Sequence, residues 1–208
     1  MIRALLLDLG NVVLEIDFHR VFDYWASHAK VEVDRLYDRW SLDDPYKRQE
    51  VGEIDFATYI HSLEQKLAIN LPMEHWLTGW NKLFVAVYPE VHDRLPRVAD
   101  SLPVFAFTNT NPVHHRYWSQ QFPEVLVHFR KIYVSSEIGL RKPDREAYDF
   151  VARDMGFAAE EILFVDDSRD NIHGAKVAGM QTARIKSEED VVNVLDRVLG
   201  KCDPKITR

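Results

Sequence analysis

Ala4-Leu-Leu-Leu-Asp-Leu-Gly-Asn-Val-Val13 carries an unbroken apolar run into a carboxylate. A run of this kind reads as a strand buried on both faces, as in a parallel sheet. A polar residue at its end points out of the C-terminal edge, where open α/β folds bind ligands. Asp8 is therefore a candidate nucleophile. The same arrangement recurs at Thr108-Asn109 after Val104-Phe-Ala-Phe107, and at Asp166-Asp167 after Ile162-Leu-Phe-Val165. Ile132-Tyr-Val134 and Thr182-Ala-Arg-Ile185 supply two more strands. Helical patterns such as Ala147, Tyr148, Val151, Met155 and Val191, Val194, Leu195, Val198 lie between or after them. That is the βαβ rhythm of a Rossmann-like α/β parallel sheet. Asn111-Pro112 reads as a polar cap with proline in the first turn, and Ser187-Glu-Glu-Asp190 is close to a capping box.

Residues 17–87 break the rhythm. They show long helical patterns dense in aromatics, among them Phe22, Trp25, Tyr37, Trp40, Phe56, Tyr59, Trp76, Trp80 and Phe84, and no convincing strand. Inserted after the first strand, such a stretch emerges at the ligand-binding edge and is placed to cover whatever Asp8 attacks. The expected organisation is a core formed by 1–16 and 88–208 with a helical cap formed by 17–87. Trp25, Trp40, Trp76 and Trp80 are expected to fill the cap's own small core rather than line a pocket.

The bulk properties narrow the partners. The chain has 208 residues, 46% hydrophobic and 28% charged, with a formal net charge of −7 and no cluster of Lys or Arg. It lacks the basic footprint that nucleic acid or an anionic membrane requires. The apolar run before Asp8 is too short for a signal-peptide core or a membrane span, so a cytoplasmic location is expected. The single Cys202 sits in a polar tail with no local feature to activate it.

Four strand-end motifs share one chemistry. Aspartate carboxylates serve as nucleophiles in some phosphoryl transfers, forming an aspartyl-phosphate that water then hydrolyses. Thr108-Asn109 leads into a helix, where hydroxyls, amides and unpaired backbone N–H groups favour an anion such as phosphate. Lys142, fixed by Pro143 and followed by Asp144 as a possible cap, offers a point charge for that anion. Adjacent carboxylates at Asp166-Asp167 repel one another unless a cation sits between them, which suggests a hard metal with oxygen ligands. Each motif read alone also admits an ordinary turn, cap or surface role.

Taken together and in this order, the motifs resemble the haloacid dehalogenase-like (HAD) hydrolases over about the whole chain. Asp8-Leu-Gly-Asn-Val12 is most similar to their sugar-phosphatase branch, typified by the α-D-glucose-1-phosphate phosphatases. The resemblance implies that Asp8 is the nucleophile and that Thr108 and the Asn109 backbone bind the phosphoryl group. Lys142 would neutralise nucleophile and phosphate. Mg²⁺ would be held by Asp167 directly, by Asp166 directly or through water, and by Asp8 and the Gly10 carbonyl, with Asp170 and Asn171 organising the loop. The implied activity is Mg²⁺-dependent hydrolysis of a small phosphorylated metabolite, such as a hexose 1-phosphate.

One departure matters. Most HAD phosphatases carry a second Asp two residues after the nucleophile as general acid and base, and here that position is Gly10. Asp17, Glu15 and His114 are near enough to the motif loops to be considered as substitutes. Two other readings remain open: a phospho-ligand-binding or regulatory protein without turnover, and a metal-independent 2-haloacid dehalogenase, against which Asp166-Asp167 argues.

Overall fold

The computed structural model describes residues 1–200. The chain begins with β1 (Ala4–Leu7) and β2 (Leu14–Ile16). It then forms α1 (Phe18–Ala29), α2 (Val33–Tyr37), α3 (Asp44–Glu50), α4 (Phe56–Leu67) and α5 (Met73–Asn81). It returns through β3 (Phe84–Val87) and α6 (Pro89–Ser101) to β4 (Val104–Thr108), followed by α7 (Pro112–Gln121), α8 (Pro123–Leu126), β5 (Lys131–Val134) and α9 (Ser135–Ile138). The remaining elements are α10 (Arg145–Met155), β6 (Ile162–Asp166), α11 (Arg169–Val177), β7 (Gln181–Arg184) and α12 (Glu188–Val198).

Five strands form a parallel sheet in the order β5-β4-β1-β6-β7. Its centre explains why β1 is apolar throughout. Leu5 and Leu7 enter the cluster on one face, Ala4 and Leu6 the cluster on the other, and all four are fully buried. Each leucine removed from water in this way is worth roughly 1.5–3 kcal/mol. The chain leaves β1 toward β4 on one side and returns to β6 on the other, so the strand order reverses beside the end of β1. A crevice opens at such a switch point.

Local chemistry starts the helices that border this edge. Asn111 Oδ1 accepts the N–H groups of Val113 and His114, with Pro112 in the first turn of α7. Ser187 Oγ accepts the Asp190 N–H at the start of α12. The Asp190 carboxylate reaches the Lys186 N–H, so the reciprocal half of the expected box is displaced by one residue. Asp144 stands at the cap position of α10 but makes no side-chain capping bond, contrary to the role its sequence position allowed.

Helices α1 to α5 gather around a separate apolar cluster. Trp25, Trp76 and Trp80 are fully buried in it, with Trp25 and Trp80 stacked at 5.7 Å and 9°. Trp40 packs on the rings of Phe18 and Phe22 at the cluster's margin. The expectation of no strand in this stretch is corrected at its end. Phe84–Val87 forms β3 and pairs antiparallel with β2, making a two-stranded ribbon where the chain leaves and rejoins the sheet. The partners lie about seventy residues apart in sequence, so no local hairpin signal marks the pairing. Among the described residues no helix is long and apolar enough to cross a membrane. Cys202 lies outside the described residues.

Candidate active site

Asp8 follows β1 directly, and its N–H donates to the Val165 carbonyl of β6 at 2.9 Å. Its Oδ1 accepts the Leu9 N–H at 2.7 Å and the Lys142 ammonium at 2.9 Å. Lys142 has no solvent exposure. Its Nζ also donates to Asp166 Oδ2 and to the Phe107 carbonyl, each at 2.8 Å, which engages all three ammonium protons. The Asn109 side chain fixes the lysine's backbone from both sides. Its Oδ1 accepts the Lys142 N–H at 2.9 Å and its Nδ2 donates to the Lys142 carbonyl at 2.8 Å. Sequence reasoning considered Asn109 only for its backbone and missed this clamp.

Asp166 is buried behind the site. Its Oδ1 accepts the Ser168 N–H at 2.8 Å and Asn171 Nδ2 at 3.1 Å, and its Oδ2 accepts Lys142 together with the same amide. A carboxylate offers about four acceptor positions, and here protein donors occupy all of them. Asp167 is less encumbered: its Oδ2 accepts Asn11 Nδ2 at 3.0 Å, and its carbonyl accepts Arg184 Nε. Asn11 itself has φ 55, the left-handed conformation that Asn tolerates better than most residues, in a tight turn whose N–H groups converge on the Leu9 carbonyl.

One oxygen each from Asp8, Asp166 and Asp167 lie within 4.8 Å of one another. Burial pushes the Asp8 carboxyl up to about 7; Lys142 opposes that rise, and the charges of Asp166 and Asp167 add to it. Burial would lower the Lys142 ammonium, but Asp166 and Asp8 outweigh it and hold it above its ordinary value. One ammonium faces three carboxylates, an imbalance that a hard divalent cation would relieve.

These groups open onto a cavity of about 120 Å³. Asp8, Gly10, Thr108, Asn109, Lys142 and Asp167 line it together, whereas Asp166 does not. Behind them, Ser135 Oγ donates to the Thr110 carbonyl and accepts the Thr110 N–H, pinning the loop after β4. Asp170 makes no recorded bond in the site, but Asn171 grips Asp166 as described.

Of the three candidates for the missing acid, only His114 lines the cavity. Its Nε2 lies 3.0 Å from the Trp80 carbonyl and its ring stacks on Trp80 at 4.6 Å. A carbonyl only accepts, so Nε2 carries the proton, and burial lowers the ring to about 3, leaving it neutral. Asp17 instead caps α1, accepting the His19 N–H at 2.8 Å, and Glu15 is exposed on β2. Gly10 does not have a positive φ. A Cβ there would stand 3.1 Å from Ile16 Cδ1, so an isoleucine side chain occupies the space beside the vacant acid position.

The helical segment meets the sheet through a further ion pair. Glu50 of α3 is 4% exposed and accepts Arg141 Nε at 3.1 Å and Nη2 at 2.9 Å. Sequence reasoning left Arg141 out, since nothing local distinguishes it from a surface arginine.

Residues 2–179 match the haloacid dehalogenase-like hydrolase family. The D-ribitol-5-phosphate phosphatase of Bacteroides thetaiotaomicron is 25% identical, with 91% of this chain and 95% of that one aligned. A crystal structure of a HAD family enzyme from the same organism, in complex with magnesium and inorganic phosphate, matches with a TM-score of 0.79 at 26% identity. That match covers 90% of this chain and 96% of its own. L-2-haloacid dehalogenase from Xanthobacter autotrophicus shares the fold, with a TM-score of 0.68 at 18% identity over 100% of this chain and 85% of its own. The family match runs from the first residues of β1 through α11 and takes in the whole strand-end cluster. The chain belongs to the haloacid dehalogenase-like hydrolases.

Proposed function

We propose that the protein is a Mg²⁺-dependent phosphomonoesterase of small phosphorylated metabolites of the sugar-phosphate kind, acting through an aspartyl-phosphate on Asp8. The observation that carries this reading is the buried Lys142 bridging Asp8 and Asp166 and lining a cavity together with Thr108 and Asp167. The similarity to a D-ribitol-5-phosphate phosphatase and to a magnesium and phosphate complex supports it.

In this reading Asp8 Oδ2 attacks phosphorus, because Oδ1 is held by Lys142 and the Leu9 N–H. Thr108 and the Asn109 backbone bind the equatorial oxygens, and Lys142 neutralises charge shared between the nucleophile and the transferring group. Asp8, Asp167 and the Gly10 carbonyl would hold Mg²⁺, with Asp166 acting through Lys142. The all-oxygen, carboxylate-rich donor set suits that ion. When bound, it supplies positive charge to the phosphoryl oxygens. The ester P–O bond breaks as the alcohol leaves, and water then opens the acyl phosphate, releasing inorganic phosphate and regenerating Asp8. Residues 17–87 act as a cap over this reaction.

The carboxylate cluster argues against a metal-independent dehalogenase, which has no phosphate dianion to neutralise. A panel of phosphate monoesters assayed with Mg²⁺ and with EDTA tests the reading. Metal-dependent phosphate release is expected. Halide release from 2-haloacids without metal, or no phosphate release from any ester including p-nitrophenyl phosphate, would overturn it.

A further inference from the structure

Every charge in the cavity belongs to the phosphoryl-transfer apparatus. Among the described lining residues Asp8, Lys142 and Asp167 are the acidic and basic side chains other than His114, whose ring is held neutral. The lining contributed by residues 14–84 is Leu14, Ile16, Phe18, Tyr46, Leu83 and Phe84, with no cation among them. Three arginines on neighbouring segments are engaged elsewhere. Arg141 is paired with Glu50, Arg20 reaches the Phe84 carbonyl at 3.4 Å, and Arg184 donates to the Asp167 carbonyl. Tyr46 turns its hydroxyl to Glu50, so its ring is the part left to face the cavity.

We propose that this site selects phosphate monoesters of uncharged, hydroxyl-rich alcohols and rejects those whose alcohol carries a second anion, a carboxylate or another phosphate. The inference rests on the phosphatase reading above. A carboxylate taken from water into this cavity meets no cation other than Lys142, which Asp8 and Asp166 already hold, and lies beside two aspartates. The penalty for burying an unpaired charge is large even in a partly hydrated site. An uncharged carbon skeleton instead places its C–H faces on Phe18, Tyr46 and Phe84, with the side-chain oxygens of Asn11, Thr110 and Asn171 available to its hydroxyls. Phe18, Tyr46 and Phe84 are thereby specificity-determining residues.

The test compares matched pairs whose leaving groups have nearly the same acidity: glycerol 3-phosphate with 3-phosphoglycerate, and glucose 6-phosphate with 6-phosphogluconate. The acid of each pair is expected to show kcat/KM about 100-fold lower, and values within threefold would overturn the proposal. Phe18→Arg supplies the absent cation and is expected to narrow the gap about tenfold by raising activity on the acids. An unchanged gap in a folded variant would count against the assignment of that wall. Thermal shifts with Mg²⁺ and either ethylphosphonate or phosphonoacetate read the same preference without turnover. Stabilisation by ethylphosphonate alone is expected, and equal stabilisation by both would sink the charge argument. If no ester is hydrolysed, the phosphatase reading falls while the phosphonate comparison still decides this one.

Discussion

The strand-end cluster and the helical segment over 18–81 are built on opposite principles. In the cluster, the side chains that hold the site are fixed by directional bonds: Lys142 has three acceptors, Asp166 four contacts, Asn109 two bonds to one backbone. The helical segment is held by rings, with Trp25 edge to face on Trp76 and stacked on Trp80, and Tyr59 tilted against Trp80. Its buried polar atoms include several without a partner, such as Trp76 Nε1, Trp80 Nε1 and both polar atoms of Gln49. The difference teaches where precision is required. Charge transfer needs groups fixed in direction as well as position, whereas a covering wall needs shape and exclusion of water, which aromatic packing provides without directional bonds.

The sharpest way to break that contrast is at Asp8, the proposed nucleophile. Asp8→Asn keeps the shape and a hydrogen-bond acceptor for Lys142 but removes the attacking oxyanion. Turnover should fall by about 10⁴-fold or more in single-turnover assays, while the melting temperature stays within a few degrees of the parent. Substantial residual turnover in the purified variant would return the nucleophile's role to another residue.

Lys142→Met comes next, and it should damage stability as well as rate. It leaves Asp8 and Asp166 buried without their cation, and breaking a buried pair in this way typically costs about 3–5 kcal/mol. Urea denaturation should show a loss of that order. A loss below about 1 kcal/mol would mean that the cluster tolerates unpaired charge and that the directional network is not what holds it.

How much of this arrangement was legible in the sequence divides along the same line. The three central strands announce themselves because β1, β4 and β6 are apolar on both faces. Asp8 and Asp167 stand out because ionisable residues at the ends of such strands have few structural reasons to be there; Lys142 follows α9 rather than a strand, and only its Lys-Pro-Asp context marked it. The amides do not announce themselves. Asn109 clamping Lys142, Asn171 gripping Asp166 and Asn11 reaching Asp167 all depend on partners 5 to 156 residues away that only tertiary placement brings near. The Glu50–Arg141 pair and the β2–β3 ribbon were hidden for the same reason. The aromatic segment yielded its helices through periodicity, but the strand at Phe84–Val87 follows a helix so closely that the pattern runs through the boundary.

A third prediction tests the seam between the two regions, where His114 of α7 stacks on Trp80 of α5. The native ring titrates near 3 and an unfolded histidine near 6.5, so the unfolded state binds more protons as pH falls between those values. The stability that rests on this neutral ring is whole above pH 6.5 and is lost as pH falls toward 3. By pH 5 the loss should be about 2 kcal/mol. In His114→Phe that pH-dependent share should vanish, leaving a shallower fall in urea midpoint between pH 7.5 and pH 5. Identical slopes in parent and variant would show that the ring is not held neutral at the seam.

The smallest expected effect concerns the one position where the ordered cluster gives way to apolar packing. Gly10 cannot donate a proton to the departing oxygen, and two residues considered in its place are committed elsewhere: Asp17 is engaged at a helix start, and His114 has its proton on the Trp80 carbonyl. Rates of phosphoenzyme formation in the parent should therefore rise steeply as the leaving group becomes more acidic, favouring aryl and anomeric phosphates over those of primary alcohols. Gly10→Asp alone must displace Ile16 Cδ1, which stands 3.1 Å from the new Cβ, so the informative variant pairs it with Ile16→Val, which lacks that atom. A well-placed general acid is worth about 10²–10⁴-fold. One introduced without tuning should recover only about tenfold, and only for the poor leaving groups. Pre-steady-state phosphorylation rates are the quantity to compare, since overall turnover is also governed by hydrolysis of the aspartyl-phosphate. A shallow dependence in the parent would mean that a proton already reaches the leaving oxygen by another route. The contrast between a fully partnered cluster and an inert wall would then fail at the point where the two meet.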